Sequence, residues 1–182
     1  MTRWFTADLH FGHTNIMEFT QRPYRSIEEH DRDLVRQWNS VVNWDDIVYV
    51  LGDFTGPKRV KKGRLRNLYN SLRGAKVLVA GNHDHGDVLS LPWLTTVHRR
   101  TTIEMAGLKF GLSHTPDSRH LFPDAPEFVL HGHLHSSEAR MPCYDVGLDA
   151  HDLQLVRDAD IVNAARRYID AFDTLAAMGR RA

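Results

Sequence analysis

The chain has almost no cysteine, no net charge and no long apolar run, and each absence removes a class of explanation. A single cysteine, Cys143, among 182 residues excludes an intrachain disulfide and suits a reducing compartment. It reads as a small hydrophobe in a strand rather than a nucleophile. Twenty-three basic and 23 acidic residues cancel, so no global field gathers nucleic acid or lipid. No stretch approaches the ~20 apolar residues that span a membrane. The opening MTRWFTADLH enters a strand at once, without the charged-then-apolar order of a leader. Repeats, linkers and low-complexity segments are missing too. The expectation is one domain, residues 1–182, of a cytoplasmic protein long enough to bury most of its apolar surface without staples.

What the chain has in excess is histidine, 12 in all. Several fall with aspartates in short runs where a strand is expected to end: Asp8-Leu9-His10, Gly52-Asp53, Gly81-Asn82-His83-Asp84, Ser113-His114 and Gly132-His133-Leu134-His135. The elements between them follow from hydrophobic spacing. Arg3–Ala7 reads as a first strand. Ser26 with Glu29 opens an amphipathic helix over about 27–43. Ile47–Leu51 and Lys76–Ala80 read as strands buried on both faces. Leu65, Leu68, Tyr69 and Leu72 form one stripe of a basic segment, 58–73, whose cations are a solvated face or, for some lysines, a phosphate contact. A hairpin over 101–112, strands at 127–130 and 142–148, and a helix from about 158 to Gly179 complete the reading.

Each run alone has a plain structural explanation: Gly-Asp is a common turn, and Gly-Asn-His-Asp can be an Asx turn. Their shared position at strand ends implies that they meet. Together they hold two carboxylates (Asp8, Asp53), one amide (Asn82) and four imidazoles (His10, His114, His133, His135). That set exceeds a tetrahedral zinc site and is too nitrogen-rich for a Mg²⁺ or Ca²⁺ cage. Two cations about 3.5–4 Å apart, sharing Asp53 and holding a bridging hydroxide, account for it, and phosphoryl chemistry is the common use of such a pair. His83, beside a ligand, would supply a proton, with Asp84 positioning its ring.

The ordered set Asp-x-His, Gly-Asp, Gly-Asn-His-Asp, His, Gly-His-x-His resembles the calcineurin-like metallophosphoesterase superfamily, over Asp8 to about Asp149. The opening Asp8-Leu9-His10-Phe11-Gly12-His13 resembles small stand-alone phosphoesterases of bacteria and their phages. The resemblance implies an α/β four-layer α-β-β-α sandwich with two mixed sheets. It implies one metal on Asp8, His10 and His135, a bridging Asp53, and a second metal on Asn82, His114 and His133, with His83 as acid and Asp84 in support. His13, Arg22 and Arg119 are the candidates for substrate phosphate; each is also a common structural or surface residue. Mn²⁺ is the expected activating ion, and iron, zinc or cobalt also fit this ligand set.

The leading expectation is hydrolysis of phosphodiesters of nucleotide type, including cyclic nucleotides. Alternatives are a phosphomonoesterase on nucleotides or phosphoproteins, a nuclease, and a non-catalytic protein-binding scaffold. Zero net charge argues against strong duplex binding. The last helix, with Arg166 and Arg167, offers either an oligomer contact or plain solvent surface.

Overall fold

The computed structural model describes residues 1–117, 119–136 and 142–179, with side chains of the final helix described as far as Phe172. In chain order the elements are β1 (Arg3–Thr6), α1 (Ile16–Phe19), α2 (Ile27–Val41), β2 (Ile47–Val50), α3 (Lys62–Ser71), β3 (Ala75–Val79) and α4 (Gly86–Leu89). There follow β4 (Thr95–Val97), β5 (Arg100–Met105), β6 (Leu108–Ser113), β7 (Phe128–His131), β8 (Cys143–Asp145), β9 (Val156–Arg157) and α5 (Asp158–Gly179), with 3-10 turns at Arg119–Leu121 and Leu148–Ala150.

Two mixed sheets carry the fold, as the resemblance implied. The first has the order β4-β3-β2-β1-β9, parallel except for β9; the second has the order β5-β6-β7-β8, parallel except for the β5–β6 hairpin. Alternation along the strands sorts two cores. Val48, Val50 and Leu78 face α2 and α3, with Leu34, Trp38, Leu65 and Tyr69 against them. Phe5, Leu51 and Val79 face the second sheet, meeting Phe110, Leu112, Phe128 and Leu130, with Ile161, Val162 and Ala165 of α5 joining the same core. Among the described residues no helix is long and apolar enough to cross a membrane.

Local chemistry explains the boundaries. Ser26 is extended, and its Oγ accepts the Glu29 N–H at 3.2 Å, while the Glu29 carboxylate takes the Arg25 N–H at 2.9 Å. α2 ends two residues before the expected Asn43 because Val42 turns extended to lead into β2. The expected strand 142–148 shortens to three residues. Gly147 bridges Ala7 and the Leu148 N–H bonds the Ala7 carbonyl, so the chain leaves β8 to run past β1. Phe172 of α5 is 61% exposed. The short edge strands β4 and β9 lack the apolar runs that announce the others.

Candidate metal centre

The runs converge. β1, β2 and β3 end side by side in one parallel sheet, delivering Asp8 and His10, Asp53, and Asn82 and His83; β6 and β7 deliver His114, His133 and His135 from the facing sheet. Ligand atoms of Asp8, His10 and His135 lie within 4.8 Å of one another, as do those of Asp8, Asp53 and His114. Asp53 Oδ2 is 3.7 Å from His10 Nε2, 3.8 Å from His83 Nε2 and 3.5 Å from His114 Nε2. His114 Nε2 is in turn 2.9 Å from Asn82 Oδ1 and 3.2 Å from His133 Nδ1.

The backbone reaches this arrangement by an unexpected route. Asp8 and His10 are not in an extended segment. Both are left-handed, with φ of 58° and 52°, as are Asp53 at 54°, His133 at 73° and His135 at 50°. Asp and His tolerate this region better than most residues, yet each such residue costs on the order of 1–2 kcal/mol. Leu9, between the first pair, is buried in the helix-side core. Packing therefore holds the strain while the flanking side chains turn together. Two glycines leave the necessary room. A Cβ on Gly52, where φ is +90°, would lie 2.4 Å from His114 Nδ1. One on Gly132 would lie 2.5 Å from Asp8 Oδ2.

The donor set fits divalent cations. Asp8 Oδ1 and His10 Nε2 are buried with no protein hydrogen-bond partner, a costly state unless something else completes them. Without metal the cluster holds protons. Burial pushes the Asp8 carboxyl up to about 7, against the pull of His135 and His114. Burial drives His10 down to about 2. His114 is destabilised as a cation by burial, but its contact with Asp53 and the charge of Asp8 outweigh this and raise it to about 9. Its Nδ1–H donates to the Leu51 carbonyl at 2.8 Å, which leaves Nε2 facing the cluster. Asp53 is also raised by burial, yet the His114 contact keeps it below the ordinary carboxyl value.

No protein-family model matches the chain. It is 35% identical over 134 residues to an uncharacterized protein of Methanocaldococcus jannaschii, covering 74% of this chain and 69% of that one. It is 32% identical over 196 residues to the gene 66 protein of Mycobacterium phage L5, covering 88% and 93%. The crystal structure of a protein of unknown function from Aquifex aeolicus overlays with a TM-score of 0.73 at 23% identity, covering 90% and 98%. The full motif order is gathered at one end of two mixed sheets, the arrangement that the resemblance to calcineurin-like metallophosphoesterases implies.

Several expected roles change in three dimensions. Arg22 is 4% exposed, and its guanidinium is spent. It donates to both Asp149 carboxylate oxygens at 2.9 and 2.8 Å and to the Leu9 and Asp8 carbonyls at 3.2 and 2.7 Å, and meets His30 Nε2 at 2.9 Å. With no donor left for a substrate, it ties down the Asp8–His10 loop instead. Arg119 is exposed at the start of a 3-10 turn, and no hydrogen bond or ion pair among the described residues links it to the cluster. No hydrogen bond or ion pair among the described residues joins Asp84 to the His83 ring. Its buried carboxylate accepts the N–H groups of Asp53, Phe54 and Gly81, each at 2.9 Å, and so sets the backbone that carries Asp53. His13 lies half-buried with its Nδ1 3.3 Å from His10 Nδ1. His131 stays at the strand end, buried in β7.

Sequence reasoning missed Asp149. Its Oδ2 accepts from His135 Nδ1 at 2.6 Å, which turns His135 Nε2 toward Asp8, 3.9 Å away. Burial opposes its charge, but Arg22 and His135 hold the carboxyl far below its ordinary value. Only the resemblance, which ends near Asp149, touched this residue. No ligand-type spacing marks it.

Proposed function

We propose that this chain is a dinuclear metal-dependent phosphoesterase that hydrolyses phosphodiesters of nucleotide type, cyclic nucleotides included. One observation carries the reading: Asp8 Oδ1 and His10 Nε2 are buried without hydrogen-bond partners, and Asp53 Oδ2 is ringed by that His10 nitrogen and the Nε2 atoms of His83 and His114 at 3.5–3.8 Å. Asp8, His10 and His135 would hold one cation, Asn82, His114 and His133 the other, and Asp53 both. Mn²⁺ is the ion of choice for an assay; iron, zinc and cobalt suit the same donors. When bound, the pair supplies Lewis acidity, lowering the pKa of a water from 15.7 toward about 7 and neutralising phosphoryl charge.

The chain's own groups then divide the work. His83 stands at the accessible side of Asp53, its side chain 29% exposed and its N–H anchored on Asp53 Oδ1 at 3.0 Å. From there Nε2–H gives the leaving ester oxygen its proton. Asp84 keeps the strand ends from shifting, and His13 orients His10 and faces the substrate phosphate. The substrate is a small phosphate ester.

Purified protein with Mn²⁺ should hydrolyse an aryl phosphodiester, and Asn82→Ala or His133→Ala should each remove that activity. Activity persisting in both variants sinks the site assignment. Turnover of monoesters above diesters at equal concentration would sink the diester preference alone.

A further inference from the structure

His10 lies between two other rings of the cluster, with centroids 5.7 Å from His83 and 5.2 Å from His135, and a different cleft opens beyond each. The cleft beyond His83 is lined by Thr55–Val60, Leu65, His85, Asp87 and Val88. The loop that forms it is pinned to the metal-ligand loop. Thr55 bridges Phe11, Gly56 packs against the His13 ring, and Val60 packs against Gly12. Between these anchors Lys58 and Arg59 project, exposed, and no carboxylate among the described residues pairs with either. The cleft's one acidic residue, Asp87, is engaged by Lys62 Nζ at 3.2 Å. α3 starts at the cleft's edge with no side-chain cap and no acidic residue in its first turn, which leaves its positive end uncompensated.

The cleft beyond His135 has the opposite character. Its lining includes Gln21, Arg22, Asp149, Asp152 and Leu153. Among the described residues that line it, Arg22 is the one lysine or arginine and is committed to Asp149, and no cation among the described residues pairs with Asp152. Among the described residues, a substrate extending from the cluster therefore meets unpaired positive charge at Lys58 and Arg59 on one side and unpaired negative charge at Asp152 on the other.

We propose that Lys58 and Arg59 form a subsite for a second phosphate on the substrate, one that lies away from the ester being cleaved. The substrate class is then a nucleotide diester carrying a further phosphate, oriented with that phosphate past His83 and its uncharged part toward His135. The inference rests on the function proposed above for the cluster.

The test pairs thymidine 5′-(p-nitrophenyl phosphate) with the same ester bearing a 3′-phosphate, assayed on the Mn²⁺-loaded protein. The 3′-phosphorylated ester should show kcat/KM about tenfold higher, the scale of two exposed charge contacts. In the Lys58→Gln/Arg59→Gln variant that preference should fall to about twofold or less, and raised salt should weaken it in the wild type. Calorimetry with thymidine 3′,5′-bisphosphate against thymidine 5′-phosphate reads the same preference without turnover. Equal kcat/KM for the two esters, or equal binding of the two nucleotides, overturns the subsite. A preference that survives in the doubly substituted protein, with its melting temperature unchanged, overturns the assignment to Lys58 and Arg59. No hydrolysis of either ester, with the binding preference intact, counts against the proposed activity and leaves the subsite standing.

Discussion

Arg22 and Arg59 both border clefts that open from the same cluster, and they do opposite things. Arg22 is sealed in, its donors distributed over Asp149, two backbone carbonyls and His30. Arg59 is exposed on a loop and pairs with no carboxylate among the described residues. A cation near a site is available to an anion only while its donors are unspent. In the loop 14–25, Arg22 has become part of the frame; in the loop 55–60, the cations remain free. The same difference separates the ends of a buried chain running from His135 through Asp149, Arg22, His30 and Asp31 to Arg64. Its inner members hold His135 and the Asp8–His10 loop, and Arg64 at its outer end meets Glu28 near solvent.

The sharpest test of this contrast is truncation. Arg22→Ala leaves the Asp149 carboxylate buried beside an empty space and should cost about 3–5 kcal/mol of stability. Arg59→Ala should change stability by less than about 0.5 kcal/mol. Urea unfolding of both variants reads the difference, and similar midpoints would erase the distinction. A smaller effect is expected at the inner end of the chain. Asp149→Asn keeps the shape but removes the charge that orients His135, and Mn²⁺ affinity should fall by about 10- to 100-fold. Competition with a metallochromic indicator measures this, and an unchanged affinity would show that His135 needs no orienting partner.

Smallest is the dependence on pH. Below 7 both the Asp8 carboxyl and the His114 ring of the metal-free protein carry protons, since their values lie at about 7 and about 9. A cation must displace them, so affinity rises with pH and levels off above 9. Between pH 8 and pH 7 it should fall by about tenfold, with proton release visible as a buffer-dependent binding enthalpy. Affinity that does not vary with pH would mean the cluster is already deprotonated before metal arrives.

Legibility in the chain tracked how local each feature's cause is. Apolar runs announced β2 and β3, and the Ser26/Glu29 pair announced the start of α2, because neighbours a few residues apart decide them. β4 and β9 exist because an existing sheet offers them an edge, and three and two residues carry too little pattern to show it. Among the site residues, those that act through their own chemistry at a strand end could be named. Those that act through a distant partner were either missed, as Asp149 was, or given another role, as Arg22 was, since the two are 127 positions apart. Asp84 was placed correctly beside the site but matched to the wrong neighbour. Its carboxylate turns inward to backbone N–H groups 30 and 31 residues earlier instead of to the adjacent ring.

The order and residue types of the runs, by themselves, pointed to a set of carboxylates, imidazoles and an amide at the ends of buried strands. Side-chain chemistry and strand periodicity are properties of short segments, so they survive in a string of letters. Which cations stay free, which carboxylate steers His135, and how five strained residues hold their shape were decided only when two sheets packed face to face. Those outcomes depend on burial and on partners brought close by the packing, and neither exists until the chain has folded.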